Sequence, residues 1–539
     1  MGALTNAARQ VLRNHDLRRA LIAWMLGWAA ETAWLVALLV YAYQASGVAA
    51  VGAVALARTL PAGLLAPALS TLADRLARHR VLLAVHLGRS VLLALAALSA
   101  ASGLPPLVVF GLAPFDGLLA VLHRPTHVAL MPALARSPED LVASNAASGA
   151  GEGIGTLVGP AVGGALLALA APGAGFAVPA LLFGLSGLVV AGIQPSQALR
   201  ATPRRTGLGE LLLGGARALV TYRSAGLILL LFFAQITVRG LLSVLLVVAS
   251  VELLRVGEAG VGYLNSAIGI GGFLGALGAM ALVGRSRQAL VFAVALVVWG
   301  VPILLIGLLP QPILAAVLLA TLGVGNAVLD VAGFTIVQRT TPNAVRGRVF
   351  GMLEALVMVG LAIGSALAPI LVVWLGTAGA LVATGAILPV CAALSWRWVS
   401  RVDAAAVIPA RQMELLRRVP MLASLPMTVL EQVAGDLEPV GFAAGEAIIR
   451  QGEIGDRFYI LATGRAEASI DGRSVRLMGI GDSFGEIALL RDVARTATVT
   501  ALEPVAAMAL RREAFLTAVT GDWQSHQAAD RVVSERLAS

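Results

Sequence analysis

Apolar stretches of roughly 20 to 30 residues recur from Ala20 to Ser400, each long enough to cross a hydrocarbon layer about 30 Å thick. Short breaks separate them: "ASGVA" at 45–49, "ADRLARHR" at 73–80, "SGLPP" at 102–106, "ARSPED" at 135–140 and "APGAG" at 171–175. A longer polar stretch occupies 195–217, and further breaks fall near Gly257, Gly284, Pro310, Pro342 and Thr377. The pattern predicts about twelve membrane-spanning helices in two sets of about six, divided by the long polar stretch. After "WRWVSRVDAAAVIPARQ" charge becomes frequent and no segment is apolar enough to span. There, short alternating runs are punctuated at Gly445, Gly455, Gly464, Asp471-Gly472 and Gly481-Asp482, which predicts strands joined by turns. The expected fold is an all-α membrane domain over 1–400, a linker over 401–410 and a soluble α+β domain over 411–539.

Composition agrees with a membrane protein: 58% of the residues are hydrophobic, 13% are charged, and the mean hydropathy is +0.87. The net charge is +9 and every strong positive charge is an arginine. Without lysine there is no Walker-type phosphate loop, so ATP-driven pumping is not expected. The single cysteine, Cys391, lies in an apolar run and reads as a small core residue, leaving no disulfide and no cysteine-based metal site. Arg9, Arg13, Arg18 and Arg19 precede an apolar run, Ala20 to Ala45, that is too long for a signal-peptide core and reads as a retained first span.

Alternate breaks collect arginine: Arg75, Arg78 and Arg80; Arg136; Arg200, Arg204 and Arg205; Arg285 and Arg287; Arg346 and Arg348. The intervening breaks carry almost none apart from Arg255, which sits near Glu252 and Glu258. Because cytoplasmic loops retain positive charge, both termini and the soluble domain are expected in the cytoplasm, with the spans in the inner or plasma membrane of a cell.

Charges within spans cost about 2.5 to 3.5 kcal/mol each on insertion scales and invite a functional reading. The candidates are Glu31, Arg58, Arg89, Asp116, Glu152, Arg239, Asp330 and Glu354. Any of them can serve transport or coupling, or an interhelical pair. Glu31, among Trp24, Trp28 and Trp34, is the preferred cavity acid, while Asp116 and Asp330 fall in the fourth and tenth spans, corresponding places in the two halves. His123 and His127 have an i,i+4 spacing that can bind zinc, but Pro125 intervenes and no acid is near, so packing is expected rather than a metal. No nucleophile triad or paired-carboxylate arrangement recommends an enzyme, and no nucleic-acid partner is expected.

In "FGEIALLRDVARTATVTA", 484–501, Gly485 permits a backbone shape that a side chain would block, and "EIALL" can start a short helix whose N–H groups face an anion. Glu486 beside an anion needs hydrogen bonds to accept, for which a ribose hydroxyl is suited. Arg495 offers a fixed positive fork for phosphate, and the strand-like "TATVTA" can return it to the same pocket. Phosphate plus ribose points to a nucleotide. These residues resemble the phosphate-binding cassette of the cyclic-nucleotide-binding domain family, and the upstream "LPMTVLEQVAGDLEPVGFAAGEAIIRQGEIGDRFYILATGRAE" looks like that family's leading helices and first β-roll strands. The resemblance implies a pocket formed by Phe484, Gly485, Glu486, Ile487, Ala488, Arg495, Thr496 and Ala497. It gives the ribose 2′-OH to Glu486, backbone donation to Gly485, Ile487 and Ala488, and the cyclic phosphate to Arg495. Thr496 occupies a position where the family often carries a hydroxyl in both cAMP and cGMP binders. The regulatory ligand implied is cAMP, with cGMP as the alternative.

The stretch "STLADRLARHR" at 70–80 resembles the cytoplasmic loop signature of the major facilitator superfamily, with Ser70 and Ala77 in place of two family glycines. That resemblance makes Asp74, Arg75, Arg78 and Arg80 a conformational latch between the halves. Gly155, Gly159, Pro160, Gly163 and Gly164 in "GTLVGPAVGGA" look like the antiporter-type motif, and small residues at this spacing also let helices approach closely. "HRPTHVALMPALARSPEDLVASNAASG" and "QRTTPNAVRGRVFGM" look like loops of major facilitator exporters of siderophores and macrolide-type compounds. Together the resemblances imply a cyclic-nucleotide-regulated secondary transporter, an exporter or antiporter of a small amphipathic molecule. A lipid or lysolipid flippase on the same fold and a non-transporting nucleotide-sensing receptor are the alternatives. The partners expected are the bilayer, the nucleotide and the substrate, with the protein a monomer or a homodimer.

Overall fold

Glycine interrupts the two longest helices where the sequence places breaks. Helix α1, His15–Ala73, leaves helical geometry at Ser46 and Gly47 (φ 71°), and α10, Asn343–Ala405, does so at Gly376 (φ 68°). Each leg on either side exceeds the roughly 20 residues that a bilayer requires. Between them lie α2 (Arg78–Ala101), α3 (Pro106–Leu134), α4 (Pro138–Leu169), α5 (Ala174–Ala191), α6 (Arg223–Val248), a π-helical turn (Ala249–Leu253), α7 (Gly257–Ala279), α8 (Gln288–Leu308) and α9 (Pro312–Thr340). This computed structural model describes residues 14–73, 76–135, 138–169, 173–193, 223–279, 288–341, 343–405, 410–423, 425, 427–520 and 523–538. The chain divides into two compact units, Met1–Asp403 and Ala404–Ser539.

In the first unit, nine helices among the described residues are long and apolar enough to cross a membrane. Helix α4, rich in glycine and carrying Glu152, is not one of those nine; it packs against α1 and α7. Large side chains divide between two environments. Trp34, Phe176, Phe183, Phe292 and Trp299 are buried in the core, whereas Ile313 and Trp374 are 83% and 78% exposed, as expected of side chains that meet hydrocarbon rather than water.

The helices approach closely where the sequence offers no side chain. A Cβ on Gly262 of α7 would lie 2.2 Å from the Pro160 carbonyl oxygen of α4, and one on Gly164 would lie 2.6 Å from the Ala259 carbonyl oxygen. The Ser266 hydroxyl donates to the Leu157 carbonyl at 2.8 Å across the same crossing. Gly155 and Gly159 meet α1 at Trp28, Ala29 and Thr32. The glycine-rich stretch of the fifth span therefore works as a packing surface on two sides.

The second unit contains α11 (Ala410–Arg418), α12 (Pro420–Ala423) and α13 (Met427–Gly435), then eight strands with α14 (Glu486–Leu490) between β6 and β7, and finally α15 (Arg512–Thr520) and α16 (Trp523–Ala538). The strands are β1 (Glu438–Phe442), β2 (Ala447–Ile449), β3 (Arg457–Thr463), β4 (Ala466–Ile470), β5 (Arg473–Met478), β6 (Ser483–Phe484), β7 (Thr498–Ala501) and β8 (Val505–Arg511). They form two antiparallel four-stranded sheets, ordered β1-β8-β3-β6 and β2-β7-β4-β5.

Strand alternation sorts the two cores of this unit. On β3, Phe458 and Ile460 join the helical core of Leu416, Met421, Leu430, Phe515 and Val519, while Tyr459 and Leu461 join Ile449, Met478, Phe484 and Val499 between the sheets. Asp471 and Gly472 both have positive φ, 50° and 79°, as a two-residue hairpin between β4 and β5 requires. Gly445, Gly464 and Gly481 also take positive φ at their turns, whereas Gly455 does not.

The crossing of α4 and α7 is testable. Gly262→Leu should cost at least the roughly 1–3 kcal/mol of an overpacked core and lower the melting temperature of the detergent-purified full-length protein by several degrees. An unchanged melting curve would contradict the crossing.

Candidate functional sites

In the second unit, β6 pairs with β3 through Tyr459 opposite Phe484 and Ile460 opposite Ser483, then delivers the chain to Gly485. Gly485 is left-handed (φ 92°) and caps α14, so the first N–H groups of that helix lack intrahelical acceptors. Arg495 reaches the same place from the far side of the loop. It is 4% exposed, and its Nη1 donates to the Gly485 carbonyl at 2.9 Å while Nη2 donates to the Arg457 carbonyl at 2.7 Å. A Cβ at residue 485 would sit 2.5 Å from Arg495 Nη1, which gives glycine a second reason there.

The backbone holds this arginine as firmly as its side chain does. Its N–H donates to the Glu453 carbonyl at 2.8 Å, and its carbonyl accepts from Gly452 at 2.9 Å. Burial pulls the Arg495 pKa down from its ordinary value, opposed by Tyr459, Asp456, Glu486 and Glu453; burial pushes the Tyr459 phenol up. A guanidinium starting from so high a value stays charged at neutral pH. Two of its N–H groups are directed at carbonyls and the others remain to meet an anion.

Glu486 is 1% exposed beside Arg495, Phe484 and Ala488 are buried, Ile487 and Ala497 are half-buried, and Thr496 is exposed. The sequence-predicted cassette is therefore one local structure. Its tip is tied down by an ion pair of Arg512 with Asp492, and Arg491 lies 3.9 Å from Asp530 of α16. Helix α16 buries Ala529 in the helical core of this unit, which is ordinary packing.

In the membrane unit, four candidates meet in one ring. Arg58 Nη2 lies 2.5 Å from Glu31 Oε1, and Arg58 Nε lies 2.9 Å from Asp116 Oδ2. Arg89 Nε lies 2.7 Å from Asp116 Oδ1, and Arg89 Nη2 closes the ring on Glu31. Trp34 Nε1 donates to Asp116 at 2.9 Å, and the Arg89 guanidinium stands 4.2 Å from the centre of the Phe183 ring. Both legs of α1 contribute, together with α2 and α3. Alternating two acids with two bases cancels the charge, and Asp116 and Arg89 are almost wholly buried. Glu31, expected as a cavity acid, is a member of this ring.

Asp116 and Asp330 do not correspond. Helices α3 and α9 each have 29 residues and begin at Pro106 and Pro312, so the residue level with Asp330 is Arg124. Arg124 escaped the sequence reading, although this alignment of the two prolines was available. Its Nη2 lies 3.8 Å from Glu152 Oε2. Asp330 Oδ2 accepts from Asn326 at 3.1 Å, and Asn326 Oδ1 in turn accepts from Trp299 at 3.0 Å. Arg239 is exposed.

Of the latch residues, Arg78 donates to the Ala129 carbonyl at 2.5 Å and Arg80 is exposed; Asp74 and Arg75 lie outside the described residues, as does the side chain of Glu354. His123 and His127 are buried against Trp24, His127 stacking on it with ring centres 4.1 Å apart, and buried His86 packs edge-on against His123. Among the described residues no group of three or more His, Cys, Asp or Glu is arranged to hold a metal ion.

A family model described as transmembrane secretion effector, a major facilitator transporter domain, matches residues 17–424. The chain belongs to this family. A cyclic nucleotide-binding domain matches residues 439–522 of the same chain. Over 102 residues the chain is 42% identical to a cAMP-dependent protein kinase regulatory subunit of Emericella nidulans, covering 19% of this chain and 25% of that one. Over 83 residues it is 45% identical to a cGMP-dependent protein kinase of Eimeria tenella, covering 15% and 8%. The chain therefore spans a quarter or less of the length of these curated relatives. A co-crystal structure of the regulatory domain of Toxoplasma gondii PKA with cAMP matches 25% of this chain and 52% of that chain, at 28% identity and a TM-score of 0.23. Neither matching family is enzymatic.

The ring should behave as a unit in the full-length protein. Asp116→Asn leaves two guanidiniums with one carboxylate and should cost about 3–5 kcal/mol, read as a lowered melting temperature. Adding Arg89→Gln restores the charge balance and should recover part of the loss. If the double variant instead falls by the sum of the two single losses, the four groups are not coupled.

Proposed function

We propose that this secretion effector is a secondary active transporter regulated by a cyclic nucleotide, cAMP in the first instance, that exports a small amphipathic molecule across the cell membrane. The assignment is 1–400 for transport, 401–410 for the linker and 411–539 for the cytoplasmic sensor; of the linker, 406–409 lie outside the described residues. The observation that carries the reading is the clamp of buried Arg495 on Gly485 at the start of α14, in the same chain as a transporter domain.

In this reading Arg495 meets the cyclic phosphate with the N–H groups not directed at carbonyls. Gly485, Ile487 and Ala488 supply backbone donors, and Glu486 accepts from the ribose 2′-OH. Phe484, Thr496 and Ala497 line the pocket. The similar kinases are named for cAMP and for cGMP, so cGMP is the competitor to measure beside cAMP. Transport proceeds by rocking of the two halves, with Glu152, Arg239, Asp330 and Glu354 on the substrate path and Asp74, Arg75, Arg78 and Arg80 as the latch. Glu31, Arg58 and Asp116 contribute through the ring that holds the first four passes together. The helical region from Met413 to Ala434 follows the last span in the chain and precedes the strands, which makes it the transmission element.

Calorimetric titration of the full-length protein should detect cAMP binding, weakened by Arg495→Ala at least about thirtyfold, the lower end of the 2–5 kcal/mol for truncating one partner of a buried charge pair. Binding of neither nucleotide would remove the sensor. Replacing 401–410 by a long flexible linker should leave nucleotide affinity intact and abolish its effect on transport; persistence of regulation would rule out transmission through this connection.

A further inference from the structure

We propose that Glu252 and Glu258 of one half and Tyr43 and Gln44 of the other form a gate, which holds the halves together at the end of the bundle where the first leg of α1 finishes. The inference rests on the transporter reading and names residues that regulate access to its path.

The contacts join residues 209 and 214 positions apart in the chain. The Tyr43 hydroxyl donates to Glu252 Oε1 at 2.6 Å, and the Gln44 amide donates to Glu258 Oε2. Within its own half Glu252 is aimed by Thr377, whose hydroxyl donates to Oε2 at 3.0 Å. Glu252 sits in the π-helical turn that ends α6, and the chain then enters α7 through Arg255 in a left-handed conformation (φ 55°). The Val256 N–H donates to the Ser250 carbonyl at 3.0 Å, and the Ser250 hydroxyl to the Gly257 carbonyl at 2.7 Å, so the turn between the two acids is fixed by its own hydrogen bonds. A π turn and a non-glycine residue at positive φ are both costly, and such cost gathers where function requires one particular side-chain placement.

Packing between the halves tightens toward this end. Along α4 and α7, Cβ atoms on Gly164 and Gly262 would press into the facing backbone, and one on Gly269 would lie 2.8 Å from the Thr156 carbonyl oxygen. Farther from the gate, a Cβ on Gly153 would reach only ordinary contact with Phe273 at 3.5 Å, and one on Gly149 would meet no described atom within 4 Å. The two helices are therefore tight beside the gate and part toward the end where α1 begins. Gln44 and Glu252 are exposed, and hydrogen bonds in contact with water are individually weak, about fivefold each in an equilibrium. Such a gate holds by the sum of its bonds and still opens. In the topology proposed above it faces away from the cytoplasm, so release of an exported molecule requires that it part.

The test uses full-length protein in lipid nanodiscs, carrying Cys391→Ser and paired spin labels read by double electron–electron resonance. Leu104→Cys with Leu309→Cys reports the gate end, where the α2–α3 and α8–α9 connections lie, and His15→Cys with Leu277→Cys reports the other end; these residues are exposed. Glu252→Ala combined with Glu258→Ala removes both bonds between the halves and should lower the ratio of closed to open molecules about twenty-fivefold, about fivefold for each bond. The separation at the gate end should lengthen while that at the other end shortens. Tyr43→Phe, which loses one hydroxyl and keeps its ring, should give about fivefold, and Glu252→Gln, which keeps an acceptor oxygen, should stay nearer the parent. Separations unchanged in both the double variant and Tyr43→Phe, or lengthening at the gate end with no shortening at the other, overturn the proposal. No substrate or nucleotide is present in these measurements. Absence of transport therefore leaves the gate standing, and failure here leaves the transporter reading standing.

Discussion

A charged side chain inside a hydrocarbon layer must be matched nearby, and the membrane unit is organised around that constraint. The Glu31, Arg58, Arg89 and Asp116 ring meets it completely, with two carboxylates and two guanidiniums alternating across four passes. Removing one member would leave an uncompensated, largely buried charge, so the ring ties the first four passes together. Such rigidity is what rocking of one half against another needs. The glycine crossings do the complementary work without charge, by letting backbones approach where dispersion and carbonyl contacts replace the hydrophobic effect that lipid cannot supply.

The second unit applies the same economy of polar groups. Arg495 is buried, yet it is held by carbonyls of two different segments and by backbone bonds to a third, the 452–453 turn. A free arginine side chain has many rotamers to lose on binding an anion; this one has already lost them in folding. Strand β3 supports the arrangement from beneath, since alternate residues anchor it in both cores while its Arg457 carbonyl serves as one of the acceptors. The site and the fold therefore share their supports.

Most of this architecture was legible in the sequence because it rests on local signals. Runs of apolar residues gave the helices, and Gly47 and Gly376 fall at or beside the predicted breaks. The Asp471-Gly472 hairpin and the Gly485-to-Arg495 cassette lie within short segments whose chemistry is self-contained. What the sequence left open was partnership between distant helices. Glu31, Arg58, Arg89 and Asp116 stood out individually, but nothing in their spacing showed that they form one ring, because their neighbourhood depends on how four passes pack. For the same reason Asp116 was paired with Asp330 by span number, when depth along the helix pairs Asp330 with Arg124.

The ring of Glu31, Arg58, Arg89 and Asp116 serves packing rather than recognition. A sealed, neutral ring has little left to offer a ligand, since each of its charges already has a close partner and exchanging one for a ligand group would gain little. Arg124 and Glu152 differ: their side chains are 62% and 30% exposed and lie 3.8 Å apart. A regulatory nucleotide acts on this equilibrium only through a difference in its affinity for the transporter's states, about 1.4 kcal/mol for each tenfold preference. Two sites that each favour one arrangement of the halves then influence each other reciprocally, with no requirement for contact between them.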